Sequence, residues 1–188
     1  AENNMWIVQP STPANHFHML RPQAYKRPRK PLIAFTPQQL LRLHAASSRL
    51  EEFTTGSFTP VYGEVDSRVE TNRVSRVILC SGRVYYDLIH EREERGAWNT
   101  AIIRVAQLYP LPVEELREVL SAFPNAELLW VQDEPKNQGI WPHFALNLFP
   151  ELGIAPTLVS RPESATTAAG RASLHREQAA ELMRRAFA

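Results

Sequence analysis

The stretch that decides the fold is Val74-Ser75-Arg76-Val77-Ile78-Leu79-Cys80-Ser81-Gly82-Arg83-Val84-Tyr85-Tyr86-Asp87-Leu88-Ile89. Its first part is an apolar, largely β-branched run closed by a Ser-Gly pair, the pattern of a strand buried on both faces. After Gly82 the period changes, and Val84, Tyr85, Leu88 and Ile89 fall on one face of a helix. A buried strand turning sharply into an amphipathic helix is the building unit of a parallel sheet, because parallel neighbours need a long crossover, usually helical.

Downstream the unit recurs. Ala101-Ile102-Ile103-Arg104-Val105 is a second strand, followed by a helix over 112–123 with Val113, Leu116, Val119 and Leu120 on one face and Glu114 and Glu115 near its positive start. Leu128-Leu129-Trp130-Val131 is a third strand, and residues 137–152 are expected to be helical. Thr157-Leu158-Val159-Ser160 is a fourth strand, and 175–187 a closing helix with Ala179, Leu182, Met183 and Ala186 turned inward. Strands alternating with helices predict an α/β fold: an open, mainly parallel sheet with right-handed crossovers and helices on both faces.

Upstream, Met5 begins a short apolar strand ending at Val8, and Gln9-Pro10-Ser11-Thr12-Pro13 announces a helix through a hydroxyl cap and a proline in its first turn. Phe17, Leu20, Ala24 and Tyr25 continue it at helical spacing, with Pro22 expected to shorten or kink it. Leu32-Ile33-Ala34-Phe35 is another strand, and residues 36–43 start like another helix. From 45 to 72 no period persists, and Gly56, Pro60 and Gly63 punctuate a polar stretch. The organisation expected is therefore 1–43 as the end of one α/β domain, 44–72 as a connector, and 73–188 as a second α/β domain.

Composition narrows the function classes. Lys and Arg number 21 against 20 Asp and Glu, a net charge of +1, which gives no long-range attraction to a polyanion and argues against nucleic-acid binding. No stretch approaches the roughly 18 apolar residues of a membrane span. Cys80, the single cysteine, cannot close an intrachain disulfide, and its apolar setting fits a reducing compartment, cytoplasmic or mitochondrial matrix. The start, Ala1-Glu2-Asn3-Asn4-Met5, has neither an initiator Met nor a signal peptide, and is expected to continue a longer chain.

Two regions are candidate sites. The richer is Trp130-Val131-Gln132-Asp133-Glu134-Pro135-Lys136-Asn137-Gln138-Gly139-Ile140-Trp141, at the C-terminal end of a buried strand, where open α/β sheets place their binding loops. Asp133, Glu134, Asn137, Gln138 and Trp141 are its interface or partner-contact candidates; the alternative is that Asp133 and Asn137 cap the loop and helix while the tryptophans fill core. The second is basic: Arg21, Lys26, Arg27 and Arg29 could hold the phosphate groups of an effector, since Arg and Lys suit phosphate geometry, although charge runs between elements are usually solvated surface. The six histidines show no zinc-like spacing, His16 and His18 pointing to different helix faces. Ser81-Gly82 lacks the frame of a nucleophile turn and reads as a tight strand-to-helix connection.

The motifs Ser11-Thr12-Pro13-Ala14-Asn15, Phe17-His18-Met19-Leu20-Arg21, Arg29-Lys30-Pro31-Leu32-Ile33, Cys80-Ser81-Gly82-Arg83-Val84-Tyr85-Tyr86-Asp87-Leu88, Gln107-Leu108-Tyr109-Pro110 and Glu134-Pro135-Lys136-Asn137-Gln138-Gly139 resemble, in order, the C-terminal end of the 2-oxoglutarate dehydrogenase family. The resemblance implies that 1–43 ends a pyrimidine-binding domain and that 73–188 is a transketolase C-terminal-like domain. It also implies a homodimeric parent enzyme that decarboxylates 2-oxoglutarate on thiamine diphosphate with magnesium and passes the succinyl group to a lipoyl arm of dihydrolipoamide succinyltransferase. The chain departs from the family pattern at Pro22, where a second Arg is usual, at Ala106, where a Glu is usual, at Ile140, and in Ser164-Ala165-Thr166-Thr167-Ala168-Ala169-Gly170. It carries no Gly-Asp-Gly, so cofactor and metal are expected to bind outside this segment, which alone should be inactive. A free-standing non-catalytic module and a 2-oxoadipate dehydrogenase are the alternatives.

Two strands and two short helices bury too little apolar surface to offset backbone ordering at about 1–2 kcal/mol per residue. Hydrogen exchange on the isolated chain, at dilutions where no dimer forms, should therefore show weaker protection at Ile7, Val8, Ile33 and Ala34 than at Val77, Ile78, Ile102 and Ile103. Equal protection would mean that both parts fold as one unit.

Overall fold

The computed structural model describes residues 2–188. In chain order its elements are β1 (Trp6–Val8), α1 (Pro13–Tyr25), β2 (Leu32–Ala34), α2 (Leu50–Thr54), β3 (Val61–Tyr62), β4 (Arg76–Cys80), α3 (Val84–Arg95), β5 (Thr100–Val105), β6 (Gln107–Tyr109), α4 (Val113–Leu120), β7 (Glu127–Pro135), α5 (Trp141–Leu146), α6 (Leu148–Leu152), β8 (Thr157–Arg161) and α7 (Ala172–Ala186).

The main sheet runs β3-β5-β4-β7-β8. β4 pairs in parallel with both neighbours, Val77 standing opposite Ala101 of β5 and Leu128 of β7, and β8 extends the parallel set beyond β7. Side chains alternate across this sheet as strand geometry dictates. Val77, Leu79, Ala101, Ile103 and Trp130 meet Leu116, Phe144, Leu148 and Phe149 of α4, α5 and α6 on one face. On the other, Ile78, Cys80, Ile102, Leu129 and Val131 meet Val84 and Leu88 of α3 and Leu182 and Ala186 of α7. Val77, Ile78 and Leu79 have no exposed surface; each such side chain contributes about 1.5–3 kcal/mol of burial. The α/β architecture read from the sequence is the architecture observed.

β8 is an edge strand, and α7 covers it: Arg185 donates from Nη1 to the Ser160 carbonyl at 3.1 Å and from Nη2 to the Leu158 carbonyl at 3.5 Å. These are the carbonyls that an unpaired edge would otherwise offer to another chain.

Several elements differ from the sequence reading. Residues 61–62, inside the expected connector, form β3, which pairs antiparallel with β5. Residues 107–109, assigned to no element from the sequence, form β6 and pair antiparallel with β1, so the β2-β1-β6 sheet joins the N-terminal part to the C-terminal half. The helix expected over 36–43 is a 3-10 segment, Gln38–Arg42. That expected over 137–152 begins only at Trp141 and breaks at Asn147, whose side chain bonds back to the His143 carbonyl at 2.8 Å, a local alternative to the helix ladder. Helix α1 runs on to Tyr25 despite Pro22.

A buried ion pair ties the segment before β4 to the sheet. Arg92 donates to Glu64 at 2.6 and 3.2 Å and to the Thr100 carbonyl at 3.1 Å, and Glu64 also accepts from the Ile102 amide at 2.8 Å. The two side chains are 3% and 9% exposed. Removing one partner of such a pair strands a buried charge, so Glu64→Ala should cost about 3–5 kcal/mol. Arg117→Ala, at the exposed pair with Glu114, should cost less than about 1 kcal/mol. Denaturant unfolding of both variants distinguishes the two.

Candidate functional site

In chain order the four parallel strands lie second, first, third, fourth, so the winding of the sheet reverses between β4 and β7. At such a reversal the connections leave in opposite directions, and the carboxyl ends of the two strands open a crevice. Ser81, Gly82 and Arg83 lie at the end of β4, and Gln132 to Pro135 at the end of β7.

Gly82 takes φ +70°, and a Cβ there would stand 2.5 Å from the Gln9 amide nitrogen. Only glycine lets β1 approach so closely, and Ser81 Oγ completes the contact by donating to Gln9 Oε1 at 2.7 Å. Arg83, in the first turn of the following helix, reaches Asp87 at 2.5 Å and stands 3.7 Å from Asp133. Burial raises the Asp87 carboxyl, opposed by the Arg83 charge. Arg83, Asp87, His90, Asp133, Arg161 and His175 line a cleft of about 380 Å³ between α3 and α7.

The five candidates read from the 130–141 stretch do not act alike. Asn137 and Gln138 hold the 162–170 segment: Asn137 Nδ2 donates to the Ser164 carbonyl at 3.0 Å, Ser164 N–H returns a bond to Asn137 Oδ1 at 3.1 Å, and Gln138 Nε2 donates to the same carbonyl at 2.9 Å. Trp141 packs its ring on Phe149 with centroids 5.7 Å apart. Asp133 and Glu134 face one another beside Arg161, and burial, then the Asp133 charge, pushes the Glu134 carboxyl up to about 7. Gln132, which the sequence reading passed over, organises the turn: its Oε1 accepts from Trp130 Nε1 at 3.1 Å and from Trp141 N–H at 3.2 Å. Its Nε2 donates to the Gln138 carbonyl at 2.7 Å.

Arg161 was also missed. Its Nε donates to the Asp133 carbonyl at 2.6 Å and its Nη2 to the Thr167 carbonyl at 2.5 Å, so it fastens the same two segments. The sequence signal was a lone Arg at the end of an apolar strand, which does not reveal partners 28 and 6 residues away. Arg83 and Asp87 carried a stronger signal, an i,i+4 pair opening a helix after a buried strand. These carboxylates do not suit a divalent cation, because Asp87 and Asp133 already face Arg83; among the described residues no group of three His, Cys, Asp or Glu side chains converges on a metal position.

The basic candidates lie elsewhere. Arg21, Lys26, Arg27 and Arg29 surround a cleft of about 920 Å³ together with Trp6 and Phe58. Arg21 bonds His18 Nδ1 at 3.1 Å, and His18 Nε2 faces the Glu52 carbonyl at 2.7 Å, which fixes the tautomer with its proton on Nε2. Arg27 and Arg29 spend one donor each on the Ala24 carbonyl, at 3.3 and 2.9 Å. The structure brings these four together; it does not bring them to the switch-point crevice.

Fold and crevice define a doubly wound α/β domain whose loops 136–139 and 162–170 gather at the carboxyl end of the sheet. Residues 47–187 match the family described as 2-oxoglutarate dehydrogenase C-terminal, and the chain belongs to that family. It is 44% identical over 194 residues to the 2-oxoglutarate dehydrogenase E1 component of Azotobacter vinelandii, all of this chain aligning with 20% of that protein. It is 43% identical to the corresponding component of Cupriavidus necator, again all of this chain and 20% of the relative. A multifunctional 2-oxoglutarate metabolism enzyme of Mycobacterium sp. (strain JLS) is 39% identical, all of this chain aligning with 15% of that protein. The chain thus spans about a fifth or less of the length of these relatives, in their C-terminal part.

Asn137→Ala should remove both bonds to Ser164 and cost about 1–3 kcal/mol. The measurable sign is faster limited proteolysis within 162–170, with little change in cleavage elsewhere.

Proposed function

We propose that this chain is the C-terminal part of a thiamine-diphosphate-dependent 2-oxoglutarate dehydrogenase, which oxidatively decarboxylates 2-oxoglutarate and transfers the succinyl group to a lipoyl group of dihydrolipoamide succinyltransferase. The observation that carries this reading is identity of 44% along the whole chain to a protein bearing that enzyme's name. Thiamine diphosphate and magnesium bind outside this segment, whose crevice carboxylates Asp87 and Asp133 face Arg83, and the segment alone is inactive. The parent protein works as a homodimer in the cytoplasm or the mitochondrial matrix; among the described residues no helix is long and apolar enough to cross a membrane.

On this reading 1–43 ends a pyrimidine-binding domain, 44–72 connects, and 73–188 is a transketolase C-terminal-like domain. The joined loops 136–139 and 162–170 are its partner-facing surface, because they are rigidly held by Arg161 and Asn137 yet present Lys136 and Asn137 to solvent. The cleft of Arg21, Lys26, Arg27 and Arg29 takes the phosphate groups of an effector. Its aromatic wall of Trp6 and Phe58, ring centroids 4.9 Å apart, suits a ligand with an apolar portion.

Assay of the full-length protein with thiamine diphosphate and magnesium should give turnover of 2-oxoglutarate in preference to 2-oxoadipate; no turnover of either acid would end the enzyme reading. In the same protein the double variant Arg27→Ala, Arg29→Ala should keep basal turnover while losing about tenfold or more in affinity for acetyl-CoA or AMP, a loss of about 1.4 kcal/mol or more. Unchanged affinity for both would dismiss the effector cleft.

A further inference from the structure

Two successive residues of a regular strand point to opposite faces of the sheet. Asp133 and Glu134 do not, because the pairing of β7 with β8 slips here: Val131 stands opposite Val159, but Pro135 opposite Arg161, so four steps of β7 run against two of β8. The bulge brings the two carboxyls into hydrogen-bonding contact. Above them lies the turn at Gly139, φ +70°, where a Cβ would stand 3.1 Å from Glu134 Oε2 and from both amide atoms of Gln132. Beyond the turn, the bonds of Asn137 and Gln138 to Ser164, and of Lys136 N–H to the Arg161 carbonyl at 3.1 Å, join the 136–139 and 162–170 segments into one plate.

Charged groups face the pair from every packed element. Arg161 of β8 is the nearest cation, but its donors are committed to the Asp133 and Thr167 carbonyls and to Gln178 at 3.4 Å. From α3, Arg83 is bound by Asp87, and His90 lines the same cleft; His175 does so from α7. Lys136 in the turn is exposed. Asp133 shares Arg83 with Asp87, at 3.7 Å against 2.5 Å, and among the described residues no ion pair reaches Glu134.

We propose that Asp133 and Glu134 form a proton-sharing latch: with one proton held between the carboxyls the bulge sits closed under the Gly139 turn, and when it leaves, two adjacent carboxylates push the bulge apart and loosen the plate. Glu134 titrates near 7 in the closed state, against a usual value of 4.5. The closed plate therefore binds more protons than the opened one between those values, and its stability falls as pH rises through that window and levels off above it. The inference concerns regulation of the surface assigned to partners above, but loop opening is read without any partner, so it stands or falls separately.

Hydrogen exchange of the intact protein, corrected for the intrinsic pH dependence of amide exchange, tests the latch. Protection of amides in 136–141 and 163–167 should fall by up to about tenfold per pH unit between about 5 and 7 and flatten above. Glu134→Gln, which keeps a donor but cannot ionise, should abolish the slope. Asp133→Asn, which removes the repulsion, should move the flattening to lower pH, and it serves equally should the first variant not fold. A slope unchanged in both variants would assign the effect to His90 or His175 and overturn the proposal, as would protection that does not vary with pH in the unaltered protein.

Discussion

Everything in the molecule hangs on the double-sided burial of β4. A strand with Val77, Ile78, Leu79 and Cys80 wholly enclosed must have helices against both faces and paired strands along both edges. Parallel pairing to β5 on one side and β7 on the other then forces the winding to reverse beside it. That reversal puts the carboxyl ends of β4 and β7 side by side, so the crevice lined by Arg83, Asp87 and Asp133 follows from the core rather than from any site motif. Cys80 shares this fate: complete burial pushes its thiol up to about 12, which makes it a packing residue without nucleophilic character.

What was legible in the sequence was whatever long periodicity encodes. The 74–89 stretch contained its strand, turn and helix outright, and the four parallel strands were each an apolar run bounded by breakers. Strands β3 and β6 were not legible, because two or three residues carry no period; each exists only because another strand, β5 or β1, offers it a partner. The break at Asn147 is similarly tertiary, since the helix period of 141–152 continues through it. Of the candidate site, the position was legible from strand end and residue type, but its working was not. Asn137 and Gln138 act through Ser164, 27 and 26 residues away, and the meeting of Asp133 with Glu134 depends on a bulge that the alternating pattern of a strand would deny.

Two buried arginines show how differently one fold can handle a charge. Arg92 meets a carboxylate, Glu64, and the pair organises the backbone at Ile102. Arg104, 5% exposed, lies between the rings of Tyr62 and Tyr85, its guanidinium carbon 4.3 and 4.2 Å from their centroids. Aromatic faces stabilise a cation by about 2 kcal/mol or more once water is excluded, and they do so without a second charge to desolvate. The arrangement has a structural product: Arg104 donates to the Tyr86 hydroxyl at 3.3 Å, and that hydroxyl donates to the Ser11 carbonyl at 2.6 Å, linking β5 to the start of α1.

That link is one of a series, and the series has a common chemistry. Gln9 meets Ser81 through an amide and a hydroxyl, Asn15 exchanges bonds of 3.1 and 2.9 Å with the Thr59 backbone, and Trp6 Nε1 donates to Gln107 at 2.9 Å. The N-terminal strand and helix thus dock on the rest through the β1–β6 ladder, the burial of Val8 and Met19 and short polar contacts with strict geometry, whereas the main sheet coheres chiefly through continuous apolar packing. Apolar surfaces slide with little change in energy, but an amide pair either forms or does not. A seam built from such pairs sets one position for the N-terminal elements and holds it at a cost that local rearrangement can meet. Asn15 has to be an amide, because its side chain donates to and accepts from the Thr59 backbone at once, whereas Gln9 crosses the seam by accepting the Ser81 hydroxyl proton on Oε1 while its backbone N–H donates to the Ala106 carbonyl at 2.7 Å.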